Sequence, residues 1–369
     1  LADKQHQNPK VTALNNGNYA ITYAVNNHND DVDSWDVYVQ IINEQGEKVG
    51  EEILVNTTTS NSQQYPDIAA TQNGGFAITW QSSSDSARGI YTKIFDSNGE
   101  AISAELRANQ EDHSHEWSKI DVLDNGNIVV VWQNSQIDNN SWGIAGRIYD
   151  ADGGVVSNTF QVNTTTEREQ YSPNVSSLVD GGFVVVWRHD DWESNERELM
   201  LQRYDADGNR VGLEVQVSQL PTNASFADGE PTVLGLENGG YAVAWSMHNV
   251  DNDGSAIIIQ FFDADGNRVG GNQIANSISR NDQQHPELAL VPGGNVQVVW
   301  GTRHQYDSPD DFGIYTRTFN QDGVPISGTE TLVNTITDRT QTEPSLVYGQ
   351  DSGLFVWLSD VEYSYELDG

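Results

Sequence analysis

Histidine, tyrosine and arginine are the side chains of this sequence best suited to acid–base chemistry, and several stand beside a repeated phrase. His189 and His304 each directly follow an arginine, shortly after a tryptophan that closes an apolar strand. Imidazole titrates near neutral pH, and a phenol can donate a proton to a departing oxygen. We therefore predict a catalytic set, which comprises His189, Tyr171, His304, His285, His115 and His248.

Arginines and the aromatic residues outside the repeated phrase give a substrate-binding set. Guanidinium binds a carboxylate through two parallel hydrogen bonds, and flat rings stack on sugar faces. With a base and an acid, these groups suit β-elimination of a uronate polymer: arginine neutralises the carboxylate, the base takes the C5 proton and the acid protonates the leaving oxygen. The predicted substrate-binding residues are Arg188, Arg303, Trp117, Trp192, Trp142 and Tyr306.

Three acidic loops, NNHNDDVDSWD, NVDNDGS and YDSPDDFG, offer oxygen ligands for a hard cation. Clusters of oxygen ligands alone suit Ca²⁺, while a solvated acidic loop is the alternative interpretation of each. The histidines could instead hold a transition metal. The predicted calcium ligands are Asp30, Asp31, Asp33, Asp251, Asp253 and Asp310.

A repeated strand must position these groups. Seven phrases, from NGNYAITY through DGGFVVVW to SGLFVW, each end in one large aromatic, at nearly constant spacing. A period of about 50 residues with apolar alternation is typical of a propeller whose blades are antiparallel meanders. The sequence predicts an all-β, seven-bladed β-propeller over residues 1–369 as one domain, with four-stranded antiparallel blades. The last repeat ends after a third strand, so blade seven is either three-stranded or completed by chain beyond Gly369.

The blade order predicts which loops share a face. In an antiparallel blade the turns between strands one and two and between strands three and four lie on one face. The loops between strands two and three and the crossings between blades lie on the other. All eight histidines fall in the second group, so we expect function on that face. Because each crossing ends at the axis, we expect a central mouth surrounded by His115, Tyr65, Tyr171, His285 and Glu343. YDADGNRVG and FDADGNRVG lack the twelfth-position glutamate and helices of an EF-hand, and we expect hairpin turns there.

Composition limits the partners and the environment. The chain has 54 acidic and 18 basic residues, a net charge of −36, and no cysteine. Such a surface lacks the basic footprint that phosphate binding needs, which excludes a general nucleic-acid surface. No apolar run is long enough to span a membrane. Because salt screens self-repulsion, we expect a secreted, monomeric protein suited to seawater or to millimolar calcium.

The phrases DGGFVVVW, YDADGNRVG and FQVNTTT resemble the propeller repeats of large secreted bacterial proteins, which often carry hemolysin-type calcium-binding segments. The resemblance covers nearly the whole chain and implies architecture. Six residues are also similar in type and position to the mouth residues of seven-bladed polysaccharide lyases: Arg188, His189 and Tyr171 in blade four, and His285, Arg303 and His304 in blade six. That likeness implies cleavage of an acidic polysaccharide.

Two functions of different class stay open. One is a secreted lyase that cleaves a uronate-containing polysaccharide by β-elimination. The other is a non-catalytic glycan-binding or adhesin propeller within a larger secreted protein, because one fold serves many functions. A glycoside hydrolase would need two opposed carboxylates, for which Glu230, Glu287, Glu343 and Asp360 are candidates. The net charge of −36 counts against a polyanionic substrate unless the mouth is locally positive or salt screens the repulsion.

Overall fold

Every regular element in the described part of the chain is a β-strand. The computed structural model describes residues 5–26, 34–84, 88–110, 114–138, 141–191, 196–218, 225–227, 229–251, 253–280, 282–303, 312–335, 340–350, 352–359 and 362–368, without the side chains of residues 191, 196, 303, 312, 362, 363 and 368. This part of the chain contains no helix that could cross a lipid bilayer.

The first four blades are antiparallel sheets in simple sequential order. Their strands are β1 (His6–Ala13), β2 (Tyr19–Asn26), β3 (Trp35–Ile42) and β4 (Lys48–Leu54); β5 (Gln63–Ala70), β6 (Phe76–Ser82), β7 (Gly89–Phe95) and β8 (Leu106–Arg107); β9 (His115–Val122), β10 (Ile128–Asn134), β11 (Gly143–Tyr149) and β12 (Phe160–Gln161); β13 (Glu169–Ser177), β14 (Phe183–Asp191), β15 (Glu196–Tyr204) and β16 (Arg210–Gln216).

The last three blades follow the same order with two departures. The inner strand of blade five is split in two, and the described residues of blade seven form three strands. The strands are β17 (Ser225–Phe226), β18 (Thr232–Gly235), β19 (Tyr241–His248), β20 (Ser255–Phe262) and β21 (Arg268–Ile274); β22 (Asp282–Val291), β23 (Asn295–Arg303), β24 (Phe312–Phe319) and β25 (Thr331–Leu332); β26 (Gln341–Tyr348), β27 (Gly353–Ser359) and β28 (Glu362–Asp368).

The repeated aromatics pack the blades against one another. Trp132 and Trp300 are completely buried, and Trp187 is 1% exposed. Seven apolar clusters each join two neighbouring blades; one, for example, packs Val131 of blade three against Trp187 of blade four. One large aromatic in each second strand, an indole in six blades and the Tyr23 ring in blade one, therefore supplies much of the interblade apolar surface.

The ring closes between the last blade and the first. Val11, Tyr19 and Ile21 of blade one pack with Leu354 and Val356 of blade seven. Each inner strand also contacts the inner strand of the next blade around the axis. The predicted seven-bladed propeller is confirmed.

The short turns are hairpins, as the sequence predicted. In the YDADGNRVG turn the Oδ1 atom of Asp205 accepts the backbone N–H groups of Asp207 at 3.0 Å and Asn209 at 2.8 Å. The same turn recurs at Asp263. An aspartate in such a turn replaces a backbone acceptor, which explains the acidic residue without a metal. We call the opposite face, with the longer loops and the crossings, the mouth face.

A buried asparagine fastens each of several crossings to the third strand of the preceding blade. The side chain of Asn163 accepts the backbone N–H of Ile144 at 2.8 Å and donates to the side chain of Gln170 at 2.9 Å. Asn276 makes the equivalent bonds to Ile257 and Gln283. The VNTTT phrase is therefore a framework element, since unpaired backbone groups at these buried positions would be costly.

Candidate active site

One residue at the start of each inner strand lines a common cavity on the axis. Because each inner strand begins where a crossing ends, these residues lie on the mouth face. We call them the mouth ring, and they are Asn8, Tyr65, Trp117, Ser172, Glu230, His285 and Glu343. The cavity has a volume of about 280 Å³. That is close to the lower end of small-molecule sites, roughly 300 Å³.

A kinked backbone presents the mouth ring. Six of its residues have φ between 48° and 55°, a left-handed conformation that non-glycine residues rarely adopt; Glu230, beside the split strand, does not. The pairing register between the first two strands shifts at the same six places. Such strain costs on the order of 1–3 kcal/mol per residue and is concentrated at functional sites. The kink therefore marks this ring as a place where side-chain direction matters.

Two adjacent members of the mouth ring form an aromatic platform. The rings of Tyr65 and Trp117 lie with centroids 4.4 Å apart and planes inclined by 37°. Both side chains are partly exposed and line the cavity. Aromatic faces of this kind stack on the apolar faces of sugars.

Arg188 brings a guanidinium group to the same cavity. Its Nη2 atom donates to the Oδ2 atom of Asp190 at 2.7 Å, and its guanidinium carbon lies 5.5 Å from the ring centre of Phe226. The Asp190 side chain is 1% exposed and that of Arg188 is 19% exposed. In the described part of the chain, Nη1 of Arg188 makes no hydrogen bond. The guanidinium is thus held in place and retains a donor for an anion.

The cavity floor is ionic. Lys10 pairs with Glu287, which also accepts a hydrogen bond from the Thr232 hydroxyl at 3.3 Å. Lys119 pairs with Glu230 at 2.5 Å. These pairs join blades that are not neighbours, so they tie the ring together across its axis.

Burial and charge together set the ionisation of the floor. Burial opposes ionisation of Glu287, but Lys10 and Lys119 outweigh it and hold the pKa of this carboxyl below its usual value. Burial likewise opposes charge on Lys119, yet Glu230, Asp67 and Glu287 raise its pKa above the usual value. For Asp67, burial dominates and raises its pKa despite the two lysines. The floor therefore keeps Lys119 charged and Glu287 ionised, while burial favours the protonated form of Asp67.

The phenol of Tyr65 is held in its protonated form. Burial is the main cause that raises its pKa, and the nearby carboxylates of Glu116, Glu343 and Glu230 raise it further. Since negative neighbours disfavour a phenolate, this hydroxyl is suited to donate a proton rather than to accept one.

Of the six predicted catalytic residues, the structure brings His285 to the cavity. His115 is buried and its Nδ1 atom accepts the indole N–H of Trp132 at 3.2 Å. His189 is 5% exposed and its Nε2 atom donates to the Glu167 carbonyl at 2.9 Å. Their catalytic roles stay predictions, and these contacts favour framework roles.

The other two described members of the set lie outside the cavity lining. His248 ends β19, with Nδ1 4.0 Å from Oδ1 of Asp282. Tyr171 donates to the Glu169 carboxylate, and its ring lies 6.2 Å from that of Trp142. His304 lies outside the described residues.

Of the six predicted substrate-binding residues, two line the cavity, one lies outside it and three have side chains beyond the described part of the structure. Arg188 and Trp117 line the cavity, while Trp142 lies beside Tyr171. Arg303 ends β23, and its side chain is outside the described part of the structure, as are Trp192 and Tyr306.

The predicted calcium ligands are mostly beyond the described residues, namely Asp30, Asp31, Asp33 and Asp310. Asp251 is buried and its Oδ2 atom accepts the side-chain N–H of Asn276 at 3.1 Å, while its Oδ1 accepts the backbone N–H of Asp253 at 3.5 Å. This aspartate therefore serves the crossing framework. Among the described residues, no three histidine, aspartate or glutamate side chains are grouped to hold a metal. Calcium binding stays a prediction.

Sequence reasoning missed Lys10, Lys119 and Asp190 as parts of the site. A usable signal was present: a proline stands 14 residues before the repeated aromatic in five blades, as from Pro66 to Trp80, and 13 residues before it in blade seven. Six blades carry this proline directly after the mouth-ring residue, namely Pro9, Pro66, Pro173, Pro231, Pro286 and Pro344. Aligning the blades on it would have identified the ring and, one position beyond the proline, the floor residues.

Replacing Lys119 by methionine should strongly destabilise the fold. The change leaves Glu230, Asp67 and Glu287 without this cation, and breaking a buried pair by removing one partner costs about 3–5 kcal/mol. Urea denaturation measures the loss. Lys48→Met is the matched control, because the Lys48–Glu52 pair is exposed and contributes about 0–1 kcal/mol. Equal stabilities for the two variants would refute the ionic floor.

The destabilisation caused by Glu287→Gln should disappear at acidic pH. The folded-state pKa of Glu287 is lowered, so its ionic contribution is present above the unfolded pKa of about 4.3 and disappears as pH falls through the folded value. We expect the stability difference between wild type and variant to shrink steadily below about pH 4. Denaturation at a series of pH values tests this, and a constant difference would contradict it.

Comparison with known proteins bears on the fold. No protein-family model and no curated protein matches the sequence. Similar solved structures include a Dyadobacter fermentans protein of unknown function, 13% identical with a TM-score of 0.60, in which 100% of this chain and 96% of that one align. An ulvan lyase bound to -[GlcA(1-4)Rha3S]- is 12% identical with a TM-score of 0.58, over 100% and 94%. An α-L-arabinanase from Penicillium chrysogenum complexed with arabinobiose is 14% identical with a TM-score of 0.59, over 83% and 92%. At these identities the likeness shows the shared propeller fold.

Proposed function

We propose that this propeller is a polysaccharide lyase that cleaves a uronate-containing glycan by β-elimination at the mouth cavity. The observation that carries the proposal is the meeting of Arg188 and His285 with the Tyr65–Trp117 platform around one cavity. These supply carboxylate neutralisation, a base, an acid and a stacking surface, which are the groups that the reaction needs. The fold shared with an ulvan lyase and with an arabinanase supports a carbohydrate substrate.

Arg188 is the group that would bind the uronate carboxylate. The Asp190 carboxylate accepts a hydrogen bond from Nη2 of Arg188, and Nη1 of Arg188 remains for the substrate. Pairing with a guanidinium withdraws charge from the carboxylate, which stabilises the carbanion-like transition state formed when the C5 proton leaves. Asp190 is a positioning residue in this scheme.

His285 and Tyr65 would complete the proton transfers. The imidazole of His285 takes the C5 proton, and the electron pair of that C–H bond forms the C4–C5 double bond. The bond from C4 to the glycosidic oxygen then breaks, and the Tyr65 hydroxyl protonates the departing oxygen. The Tyr65 phenol carries a proton at neutral pH, since its pKa lies above 10.0, and the developing alkoxide of the leaving oxygen is a strong enough base to take that proton.

Local charge makes the cavity compatible with an anionic sugar on an acidic protein. Lys10, Lys119 and Arg188 all line it. The carboxylates of the same lining are Glu287 and Glu230, which are paired with the two lysines, and Glu343. The formal charges of the lining therefore cancel, so the net charge of −36 is not concentrated at the mouth.

A glycoside hydrolase is the second candidate, because Glu230 and Glu343 both belong to the mouth ring. Hydrolysis needs one carboxylate as an acid and another as a base or nucleophile. Glu230 pairs with Lys119, and Glu343 accepts the backbone N–H of Asn8 at 2.9 Å. Both carboxylates are therefore already engaged by groups of the protein itself.

Product analysis distinguishes lyase, hydrolase and simple glycan binding. The purified protein is incubated with ulvan, alginate, pectin, hyaluronan and chondroitin in oxygen-18-labelled water. Elimination gives products with ultraviolet absorbance from the new double bond and no incorporated label. Hydrolysis gives labelled, non-absorbing products. Binding without cleavage of any polymer would leave the non-catalytic glycan-binding alternative.

Tyr65→Phe and His285→Ala should each lower kcat by roughly 10²–10⁴-fold, which is the usual contribution of a positioned acid or base. Tyr65→Phe keeps the aromatic ring, so KM should change little. Tyr365→Phe is the matched control, since that hydroxyl donates to the Gly46 carbonyl away from the cavity. Wild-type rates in both mouth variants would remove these residues from the mechanism.

Salt should accelerate cleavage of a polyanion. The protein's charge of −36 repels an acidic polymer at low ionic strength, and the Debye length falls from about 30 Å at 0.01 M to about 10 Å at 0.1 M. We expect kcat/KM to rise over this range, mainly through a lower KM. Initial rates at constant pH measure it, and a steady fall with added salt would indicate binding dominated by attraction instead.

A further inference from the structure

A second aromatic pair lies on the mouth face, outside the cavity. Trp142 directly precedes β11 of blade three, and Tyr171 lies in β13 of blade four. Their ring centroids are 6.2 Å apart, and both side chains are partly exposed. The Trp142 carbonyl accepts the backbone N–H of Gln170 at 2.8 Å, which ties the Trp142 backbone to the neighbouring blade. The pair therefore lies where blades three and four are joined.

Hydrogen-bonding groups lie beside the Trp142–Tyr171 pair, where they could bind the hydroxyls of a sugar. The Glu169 carboxylate accepts hydrogen bonds from the Tyr171 hydroxyl and, at 2.7 Å, from the Ser141 hydroxyl. In the described part of the chain the indole N–H of Trp142 has no protein acceptor. Flat apolar faces beside a hydroxyl, a carboxylate and an indole donor suit the mixed surface of a sugar ring.

The pair is continuous with the mouth cavity. Tyr171 directly precedes Ser172, which is a member of the mouth ring, and it is the cross-strand register partner of Arg188. A polymer whose uronate lies at Arg188 could therefore extend along blade four towards Trp142.

We propose that Trp142 and Tyr171 form a second subsite, which binds an uncharged sugar residue of the same polysaccharide chain that occupies the mouth. The subsite rests on the proposed function, since it presumes a glycan at the mouth. Glu169 sets the charge preference: its carboxylate repels a uronate and accepts hydrogen bonds from neutral hydroxyls. The protein then binds at least two separated sugars of one chain, and its affinity is higher for long chains than for short ones.

The test measures affinity as a function of chain length. Wild type, Trp142→Ala and Trp142→Phe, each in the Tyr65→Phe background so that cleavage is slow, are titrated by calorimetry with two-sugar and eight-sugar fragments of hyaluronan, unsulfated chondroitin and desulfated ulvan, in which uronates alternate with uncharged sugars. Trp142→Ala should bind the eight-sugar fragment about tenfold more weakly, the effect of about 1.4 kcal/mol, and the two-sugar fragment as wild type does. Trp142→Phe, which keeps a ring, should lose less. Leu213→Ala, at an 86% exposed position on the outer strand β16, is the control that should change neither.

The outcomes separate the two proposals. Equal affinities of wild type and Trp142→Ala for the long fragment, or equal losses for both lengths, would overturn the subsite and leave the mouth proposal intact. Failure of wild type to bind any fragment would overturn both. Thermal melting of each variant confirms that folding is unchanged.

Discussion

Closure of the ring is the constraint on which the site depends. Tyr65, Arg188 and His285 are far apart in sequence and come together only because blade seven packs against blade one through residues such as Ile21 and Val356. The repeated aromatics, Tyr23 in this contact and an indole in the others, make this possible by giving each interblade contact a similar apolar surface. Since the blades are alike in framework, the chemistry lies in the few positions where they differ.

The mouth ring is the clearest such position. One kinked backbone conformation recurs in six blades, yet it presents an asparagine, a tyrosine, a tryptophan, a serine, a histidine and a glutamate. The framework thus fixes the direction of the side chains while their identity varies. Below them, Lys10 and Lys119 pair with carboxylates from distant blades and hold opposite charges in a partly buried space. Removing these charges from water costs free energy. The cost is offset because each lysine has a carboxylate partner.

The sequence was sufficient for the fold because spacing and alternation are local signals. Seven Gly-containing turns, each followed by an apolar strand ending in an aromatic, determine the blade number, and the Asp205 and Asp263 turns were predicted from turn chemistry alone. The site was only partly predictable. Tyr65, His285 and Glu343 could be placed at the axis from strand order, but His115 and Tyr171 precede the kinked residue and lie outside the cavity lining. A kink of one residue changes which side chain faces the axis, and this is not visible in hydrophobic periodicity. The buried role of His189 depends on a carbonyl in another segment, which the sequence does not indicate.

The most direct measurement is a crystal structure of the Tyr65→Phe variant soaked with an acidic oligosaccharide. We expect the uronate carboxylate to pair with the Arg188 guanidinium, the sugar face to stack on the ring of Trp117, and C5 to lie next to the His285 imidazole. An oligosaccharide bound on the opposite face, or with its carboxylate remote from Arg188, would contradict it.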